Sequence, residues 1–458
     1  MHRSATLILT RRVPQLEVYW VRRGSSAPFL SGYRVFPGGH IDPIDYPEHR
    51  DDIESAARQA AVREIHEEIG LDLGHQVSDL TFLGTWQTPP YLVFPMETYF
   101  FTMACPPKES WAPVASDEVE DGEWIRPVDA LDRWENGQCL VAPPTLCVLR
   151  ALATHDVENI SHIFENSEAT GLEPTYSAVH PDKMMIPTRT PTLPPATHTN
   201  CYILGTTELL VIEPASAPSE DLNYILKFLD DKVNQGARIR AIVLTHHHHD
   251  HIGGVETVRS RYRVPVWAHR ETASRVPFAV EHFLEDGEVI ELEDGLSWRI
   301  LFTPGHAPGH ICLIEPESRG MVVGDMVAGV GSILVEPSEG DMGDYLHSLS
   351  RIKAEDPAFL MPSHGPVIGG AAAKLDQYIE HRLARERACL DALKTHESLV
   401  GLVAEVYRDV PEKLRRGPQG GLAGLSLRAH LNKLVKDGHV VHVAPDRWVR
   451  VPTEHSAP

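Results

Sequence analysis

The chain has 458 residues, of which 42 are Lys or Arg and 64 are Asp or Glu, so its formal net charge is −22. This length exceeds what one hydrophobic core usually serves and predicts two to four domains. An acidic surface repels phosphate backbones, which argues against broad, non-specific binding of nucleic acids. The six cysteines are scattered without a CxxC pair, which indicates a reducing compartment and argues against cysteine-ligated zinc.

Membrane insertion is not expected, because no apolar run reaches the ~18–20 residues that a spanning helix needs. Residues 1–13 hold one short apolar run followed by Arg11 and Arg12, whereas a signal peptide places its basic residues first. We interpret this stretch as a first β-strand and expect a cytoplasmic protein without a membrane partner.

The first segment, to about residue 157, mixes strand and helix patterns. Two strand-like runs, Ala5–Thr10 and Leu16–Arg22, precede a Gly/Pro turn at Phe36–Gly39. Apolar residues at helical spacing then predict a helix over Glu54–Ile69, and a further strand is predicted at Thr98–Ala104.

Three carboxylates stand near the end of that helix. Glu64, Glu67 and Glu68 are related as i, i+3 and i+4, so they share one helix face. The three negative charges repel one another unless a cation neutralises them. Mg²⁺ is the kind of hard cation that oxygen ligands bind. Arg63 is placed to hold one of the carboxylates. A solvated, Glu-rich helix surface is the plain alternative.

The second segment, about 175 to 370, alternates apolar runs with loops and helices, and the Pro- and Thr-rich tract Pro187–Pro195 is interpreted as a linker or extended lead-in. Its runs predict buried strands. These are Ile239–Leu244, Trp298–Phe302, Ile311–Ile314, Met321–Val323 and Phe359–Met361.

Four potential metal ligands follow the first of these strands within one short loop. In an extended or turning loop, alternate side chains point the same way, so His246, His248 and Asp250 converge, and His251 opens the next helix. Imidazole and carboxylate groups suit Zn²⁺, and four ligands packed this closely suit two ions rather than one.

Two ions need further ligands from elsewhere in the chain. His306, Asp325 and His364 each come just after a predicted strand, where loops gather at one rim of a sheet, and a carboxylate such as Asp325 can bridge two ions. The same placement at four strand ends makes a chance cluster of histidines a weak explanation.

Three neighbouring histidines receive other interpretations. His247 and His249 are expected to point away from the metals, and His310 is expected to support the ligands from outside the metal shell.

The last segment, about 376 to 453, is helical and then ends in strands. Helical periodicity is present at Tyr378–Leu393 and Leu425–Val435, and strands are predicted at His439–Val443 and Trp448–Val451. Helices followed by a β-hairpin predict a winged helix.

The run His246–His251, followed by Pro-Gly-His, Gly-Asp and Ser-His-Gly, resembles the motif set of the metallo-β-lactamase superfamily. The resemblance implies an αββα sandwich with metals at one sheet rim. It implies that one zinc is held by His246, His248 and His306, and that a second is held by Asp250, His251 and His364. It also implies that Asp325 bridges the two ions and that Asp250 has a catalytic role. Glu213 stands where the family has Asp, in a position that is not a ligand there.

The chemistry of such a site is hydrolytic. Two Zn²⁺ ions make a shared water acidic and polarise a carbonyl or phosphoryl oxygen, which permits hydrolysis of thioesters, lactones, β-lactams or phosphodiesters. The motifs leave the substrate open.

The tail resembles the winged helix of the β-lactamase-like protein 2 group, which includes single-strand endoribonucleases and enzymes that release polyketides from thioesters. From Gln377 the tail has 13 Lys and Arg against 10 Asp and Glu, whereas the rest of the chain has 29 against 54. The tail is therefore the only mildly basic part, and a solvated helix face is the plain explanation for its arginines.

The stretch Arg63–Leu71, with Phe36-Pro37-Gly38-Gly39 before it, resembles the core of the Nudix box. Further similarity to the branch with coenzyme A diphosphatases lies in Arg22-Arg23, Pro89-Pro90, Trp124-Ile125-Arg126-Pro127 and Pro143-Pro144-Thr145. The resemblance implies that Glu64, Glu67 and Glu68 bind Mg²⁺ or Mn²⁺, with Glu67 catalytic.

This Nudix-like stretch departs from the usual box in spacing. The box places 13 residues between its glycine and its arginine, whereas 23 residues separate Gly39 from Arg63. The Glu expected eight positions before Arg63 is Ser55, next to Glu54. The departure leaves diphosphatase activity open.

Together these patterns predict three domains: a Nudix-like α/β/α sandwich (1–157), a metallo-β-lactamase αββα sandwich (175–370) and a winged helix (376–453). The leading function is hydrolysis of a small acyl molecule, such as a thioester, by two Zn²⁺, with a Nudix-like domain that cleaves or binds a nucleoside or coenzyme A diphosphate.

One alternative is a single-strand endoribonuclease that holds RNA on the winged helix, which is not favoured. The other is a Nudix-like part that only binds a nucleotide and regulates. The oligomeric state stays open.

Overall fold

The fold is described from a computed structural model. It describes residues 2–25, 27, 29–46, 52–74, 76–88, 95–106, 118–165, 177–215, 219–416 and 420–452. Pro89 and Pro90 lie outside these described residues. Among the described helices, none is long and apolar enough to cross a membrane.

The first domain is a mixed sheet between helices. Its strands are β1 (His2–Arg12), β2 (Leu16–Arg23), β3 (Tyr33–Val35), β4 (Gly38–His40), β5 (Thr81–Gln87), β6 (Met96–Ala104), β7 (Val119–Ile125) and β8 (Leu140–Val141). Its helices are α1 (Ile53–Ile69), α2 (Pro127–Glu135), α3 (Pro143–Leu152) and α4 (His162–Glu165). The central order is β5-β6-β1-β2-β3-β8, with β4 paired to β1 and β7 to β2.

Strand β1 shows why this sheet is covered on both faces. Leu7 and Leu9 point into the core beneath α1, whereas Ile8 points into the core beneath α2 and α3. Successive side chains of a strand point to opposite faces, so a run of apolar residues predicts burial on both. The predicted α/β/α sandwich is confirmed.

The second domain has two sheets. The first contains β9 (Ser177–His180), β10 (Lys183–Arg189), β11 (His198–Leu204), β12 (Glu208–Ile212), β13 (Arg238–Val243), β14 (Val266–Ala268) and β15 (His282–Phe283). The second contains β16 (Val289–Glu291), β17 (Ser297–Phe302), β18 (Ile311–Ile314), β19 (Gly320–Gly324) and β20 (Phe359–Pro362). The helices are α5 (Ser219–Asn234), α6 (His249–Ile252), α7 (Val255–Tyr262), α8 (Arg270–Ala273) and α9 (Met342–Ala354).

The two sheets pack face to face. Both follow the chain in simple order, β15-β14-β13-β12-β11-β10-β9 and β16-β17-β18-β19-β20. Apolar side chains from both, such as Leu210, Val243 and Ile300, form the core between them. Helices cover the outer faces, which completes the expected αββα sandwich.

Of the two interpretations of Pro187–Pro195, the linker is wrong for its first residues, and the extended lead-in fits them. Pro187 and Thr188 lie inside β10, where they pair with Asn200 and Thr199 of β11. The neighbouring strand β9 pairs only with Lys183–Met185, so the missing N–H of Pro187 costs no ladder hydrogen bond.

The C-terminal domain is a winged helix, as predicted. It has α10 (Ala371–Ala392), α11 (Leu399–Val406), α12 (Glu412–Arg415), α13 (Gly421–Lys436), β21 (Val440–Ala444) and β22 (Arg447–Arg450). Helix α10 begins seven residues before the predicted Tyr378, because the alanines at its start favour helix without giving a periodic signal.

The three domains are in direct contact. The indole Nε1 of Trp134 donates to the carbonyl of Val179 at 2.9 Å, and the amide of Gly369 donates to the carbonyl of Ser31 at 3.0 Å. Tyr33 joins the core between the two sheets of the second domain. The first domain is therefore packed against the second rather than tethered to it.

Candidate metal centre

The second domain brings seven predicted ligands to one rim of its sandwich. They follow the ends of four strands: the loop after β13 carries His246, His248, Asp250 and His251, β17 leads to His306, β19 to Asp325 and β20 to His364. The parallel pairing of β19 with β20 sets Gly324 beside Pro362, so the ligands that follow emerge at the same edge. A buried strand fixes the backbone before each ligand, and the loop after the strand sets the direction of the ligand's side chain.

Three imidazoles form the first cluster. The Nδ1 atom of His248 lies 3.0 Å from the Nε2 atoms of both His246 and His306. His306 donates from Nδ1 to the carbonyl of Leu334 at 2.9 Å, so its Nε2 carries a lone pair. His248 donates from Nε2 to Glu339 at 2.8 Å, so its Nδ1 carries a lone pair.

The third ring of this cluster also presents a lone pair. Thr245 donates its hydroxyl to Glu213, so that oxygen accepts from Nδ1 of His246 at 3.0 Å and leaves the lone pair of His246 on Nε2. Three lone pairs thus face one another without a proton between them. A cation removes this repulsion, so the residues present fit a metal ion.

Asp250, His251 and His364 form the second cluster. The two carboxylate oxygens of Asp250 lie 3.6 Å from Nε2 of His251 and 3.6 Å from Nε2 of His364. Asp325 stands between the clusters, 3.5 Å from Nε2 of His306 and 3.4 Å from Nε2 of His364. Two atoms that each bind a tetrahedral zinc at ~2.0–2.1 Å are about 3.3 Å apart, which is close to these separations.

His251 shows how strongly this cluster attracts positive charge. It donates from Nδ1 to Glu213 at 3.0 Å, and its buried Nε2 has no hydrogen-bond partner among the described residues. Burial lowers the pKa of His251, but Glu213, Asp250 and Asp325 outweigh burial and raise that pKa to about 10. An orphaned ring nitrogen beside two carboxylates suits a divalent cation.

Two carboxylates that sequence reasoning did not assign hold the histidines in place. Glu213 accepts from His251, Ser363 and Thr245, so it orients the cluster from beneath. Glu339 accepts from His248 at 2.8 Å and from His247 at 2.9 Å. No local pattern marks Glu339, because it lies 91 residues after His248 and reaches it only through the path of a loop.

The three histidines that were not assigned as ligands behave as follows. His247 is in neither of these two clusters, but with His248 and Glu339 it forms a further set of atoms that could hold a metal ion. His249 is exposed. His310 accepts from the backbone amide of Asp325 at 3.1 Å and contacts the hydroxyl of Thr303 at 2.9 Å, which is the supporting role expected for it.

The Nudix-like carboxylates lie where α1 crosses β4. Glu64 and Glu68 are buried and Glu67 is exposed. The backbone amide of Gly38 donates to Glu68 at 3.0 Å, and a side chain at Gly39 would collide with the carboxylate of Glu64. The two glycines therefore let the strand approach the acidic face of the helix.

Arg63 organises this face. Its Nη1 donates to Glu64 at 2.9 Å and to Glu67 at 3.0 Å. Its Nε and Nη2 donate to the two oxygens of Asp45, each at 3.0 Å. Asp45 is buried, so this forked pair fixes the guanidinium firmly.

Asp45 corrects the assignment of the missing Nudix acid to Ser55. With the usual spacings, an acid eight residues before the arginine stands six residues after the glycine, and six after Gly39 is position 45. The extra residues of the box therefore lie between Asp45 and Arg63. Ser55 is one of them and lies in the first turn of α1, where its backbone amide donates to the side chain of Asp52. Counting forward from the glycine finds the acid.

The carboxylates of the first domain are less compact than the histidine clusters. Among the described residues, the sets of three or more ligating atoms within 4.8 Å of one another all belong to the second domain. Burial raises the pKa of Glu68 to about 8, although the Gly38 amide and Arg23 oppose the shift. A buried carboxyl of this kind is ionised fully at neutral pH only when a cation joins it.

Family models match three parts of the chain. The metallo-beta-lactamase superfamily model matches residues 194–364, the NUDIX domain model residues 1–140, and the beta-lactamase associated winged helix model residues 398–448.

Known proteins resemble somewhat more than half of the chain. A Beta-lactamase-like protein 2 homolog of Caenorhabditis elegans is 32% identical, with 55% of this chain and 84% of that protein covered. The corresponding Drosophila melanogaster protein is 30% identical, with 52% and 83% covered. A solved beta-lactamase domain protein from Burkholderia ambifaria has a TM-score of 0.52 at 22% identity and covers 61% of this chain and 94% of its own.

These matches and the strand-end clusters agree in fold and in order along the chain. The chain therefore belongs to the metallo-β-lactamase superfamily as a metal-dependent hydrolase that carries an additional NUDIX domain and a β-lactamase-associated winged helix domain.

Proposed function

We propose that the chain is a two-zinc hydrolase of a small acyl substrate, most specifically a thioester, and that its NUDIX domain binds or cleaves the diphosphate of a nucleoside or coenzyme A moiety. His246, His248 and His306 hold one ion, Asp250, His251 and His364 hold the other, and Asp325 contacts both. The observation that carries this proposal is the convergence of ring nitrogens and carboxylates on two adjacent centres, with Asp325 within 3.7 Å of ring nitrogens in both.

The chain's own residues have distinct tasks in this scheme. When bound, a pair of zinc ions supplies an acidic water and a Lewis acid at neutral pH. Asp250, beside His251 and His364, is the carboxylate that accepts the proton of the attacking water. Glu339 keeps the Nε2 proton of His248 in place, so that Nδ1 stays free as a ligand.

Charge near the site favours a small acyl substrate over RNA. Glu339 lies against His247 and His248, and Asp341 two residues later accepts from Lys436 of the winged helix. Glu339 places a carboxylate beside the proposed metal ligands, and a phosphate backbone must overcome its negative charge.

Several of the tail's basic residues are paired with acids. Lys433 contacts Glu386 at 2.9 Å and Asp437 at 2.7 Å, and Arg416 contacts Glu412 at 2.8 Å. A groove that tracks RNA needs a continuous row of available cations. These pairings support the ranking of the ribonuclease below the acyl hydrolase.

A second candidate for the NUDIX domain is a regulatory module that binds a nucleotide without cleaving it. The observation that favours it is the burial of Glu64 and Glu68 together with the hold of Arg63 on Glu64 and Glu67. A catalytic Nudix site needs these carboxylates turned toward the cation, whereas a binding module does not.

The proposal is tested by metal analysis and by parallel assays of the purified chain on an acyl-thioester, coenzyme A and single-stranded RNA. We expect about two zinc ions per chain and thioester hydrolysis as the fastest reaction. In Asp325→Ala, zinc content and turnover should both fall, turnover by at least about a hundredfold, because the contact between the two centres is lost. Full zinc content with normal turnover in that variant contradicts the assignment.

A further inference from the structure

A cavity of about 280 Å³ lies where the NUDIX sheet meets the metallo-β-lactamase domain. Both domains build its wall. The NUDIX side contributes Tyr33, Phe36, Trp86 and Phe100, and the other side contributes Ser177, Val179, Met185 and Val367. The cavity therefore exists only because the two domains are packed together.

The cavity adjoins the carboxylate face of α1. Gly38 and Gly39 of β4 line it, and the same two residues touch Glu68 and Glu64. Arg23 also lines it and is held there by donation from its Nε to the carbonyl of Phe29 at 3.1 Å. A ligand whose phosphates lie at the carboxylates with a divalent cation would extend its organic group into this space.

Some polar groups of the wall already have partners in the protein. The hydroxyls of Ser4 and Thr98 bond each other at 2.7 Å, and the hydroxyl of Thr88 accepts from the amide of Met96 at 2.7 Å. Most of the remaining wall is apolar and partly aromatic, so an apolar group gains from contact with it, whereas a polar group loses part of its hydrogen bonding to water.

We propose that this cavity binds the less polar of the two organic groups that flank a diphosphate, and that the metallo-β-lactamase domain completes this NUDIX binding site. The inference rests on the proposed function of the NUDIX domain as a diphosphate site. It assigns Ser177 and Val367 to substrate selection by a domain that does not carry the carboxylates. Val367 is three residues after His364, so the wall of this cavity and the second metal cluster share one loop.

The test is calorimetric titration of the full chain in Mg²⁺ with three probes that resist hydrolysis: methylenediphosphonate, its hexyl ester and its adenosine ester. We expect the hexyl ester to bind at least about tenfold more tightly than the unsubstituted probe, because several methylene groups leave water. The adenosine ester should bind less tightly than the hexyl ester. Tighter binding of the adenosine ester overturns the assignment of an apolar group.

Two variants on the metallo-β-lactamase side test the shared wall. Ser177→Trp fills the cavity and should lower the affinity for the hexyl ester by about tenfold, and Val367→Ala removes apolar contact and should lower it by about threefold. Neither should change the affinity for methylenediphosphonate. Ser350→Trp, on an exposed position of α9, is the matched control and should change neither affinity.

The outcomes separate this inference from the proposed function. If methylenediphosphonate binds in a Mg²⁺-dependent way and the hexyl ester binds no more tightly, the cavity assignment fails and the diphosphate site stands. If none of the probes binds, both fail. Unchanged hexyl affinity in a folded Ser177→Trp protein also overturns the inference, and if that variant does not fold, Val367→Ala decides alone.

Discussion

At the scale of single residues, Glu339 decides how His248 presents its ring. A histidine has two nitrogens, and the partner of one determines the chemistry of the other. Because Glu339 accepts a hydrogen bond from Nε2–H of His248, the lone pair on Nδ1 points at His246 and His306. The carboxylate therefore orients the ring of His248, which is a metal ligand in our proposal.

We predict that Glu339→Gln weakens this control. The amide can donate as well as accept, so the ring of His248 is free to take the other tautomer and place a proton on Nδ1. The loss of such a partner typically costs about 10- to 100-fold in metal affinity or activity. The measurement is the zinc dissociation constant together with kcat/KM for the thioester.

Glu336→Gln is the matched control for that variant. Glu336 lies three residues earlier in the same loop and accepts from the amide of Ser338 at 3.0 Å. The proposed ligand histidines have the other hydrogen-bond partners described above. It should leave both quantities within about twofold. An equal loss in the two variants assigns the effect to loop charge and contradicts the positioning role of Glu339.

At the scale of elements, the turn between β17 and His306 depends on the absence of a side chain. Gly305 has φ +133°, a conformation that L side chains rarely adopt, and a Cβ there would collide with the backbone of Tyr345 in α9. The amide of Asp341 also donates to the carbonyl of Gly305 at 2.8 Å. Helix α9 thus fixes the turn that aims His306.

We predict that Gly305→Ala lowers the melting temperature and zinc content together. Tyr345 is fully buried within α9, so its backbone can move only if the helix moves. The collision adds to the strain of the positive φ, and together they should lower the free energy of unfolding by about 2–4 kcal/mol. Gly295→Ala is the control, because Gly295 has φ +87° and an added methyl group would meet no described atom within 4 Å, so strain alone acts there. Equal effects in the two variants would show that strain, and not the contact with α9, explains the loss.

At the scale of the whole molecule, the two sites lie in different domains and use different metals in our proposal. We predict that Glu67→Gln abolishes Mg²⁺-dependent cleavage of a coenzyme A or nucleoside diphosphate and leaves zinc-dependent hydrolysis within about twofold, because Glu67 is exposed on α1 and is absent from the histidine clusters. Both activities are measured in Glu67→Gln and in Asp325→Ala. Asp325→Ala is the reciprocal control, which should lose zinc-dependent hydrolysis and keep the diphosphate activity. A wild type that binds these diphosphates without cleaving them favours the regulatory module.

We further predict that single-stranded RNA is a poor substrate. The chain carries a formal charge of −22, and each phosphate contact needs a cation. RNA cleavage should already be weak at low salt and should not persist at ~0.15 M salt, where the few attractive contacts with phosphates are screened. Cleavage that persists at ~0.15 M, disappears in His248→Ala and weakens in Arg415→Glu would promote the ribonuclease above the acyl hydrolase.

The sequence alone determined the three folds and the set of candidate zinc ligands. Apolar strands end in short loops, and the side chains just beyond a strand end point to one rim, so local pattern was enough to select His246, Asp325 and His364. Spacing along the chain also contained the position of Asp45, which only a count forward from Gly39 reveals.

Tertiary structure decided which distant groups complete each site. Glu213 and Glu339 reach the histidines across 38 and 91 residues, and no local periodicity encodes such a contact. The cavity between Trp86 and Val367 likewise depends on how two domains pack, because both domains contribute to its wall. Local sequence sets the direction of a side chain, whereas its partner is set by the path of the whole chain.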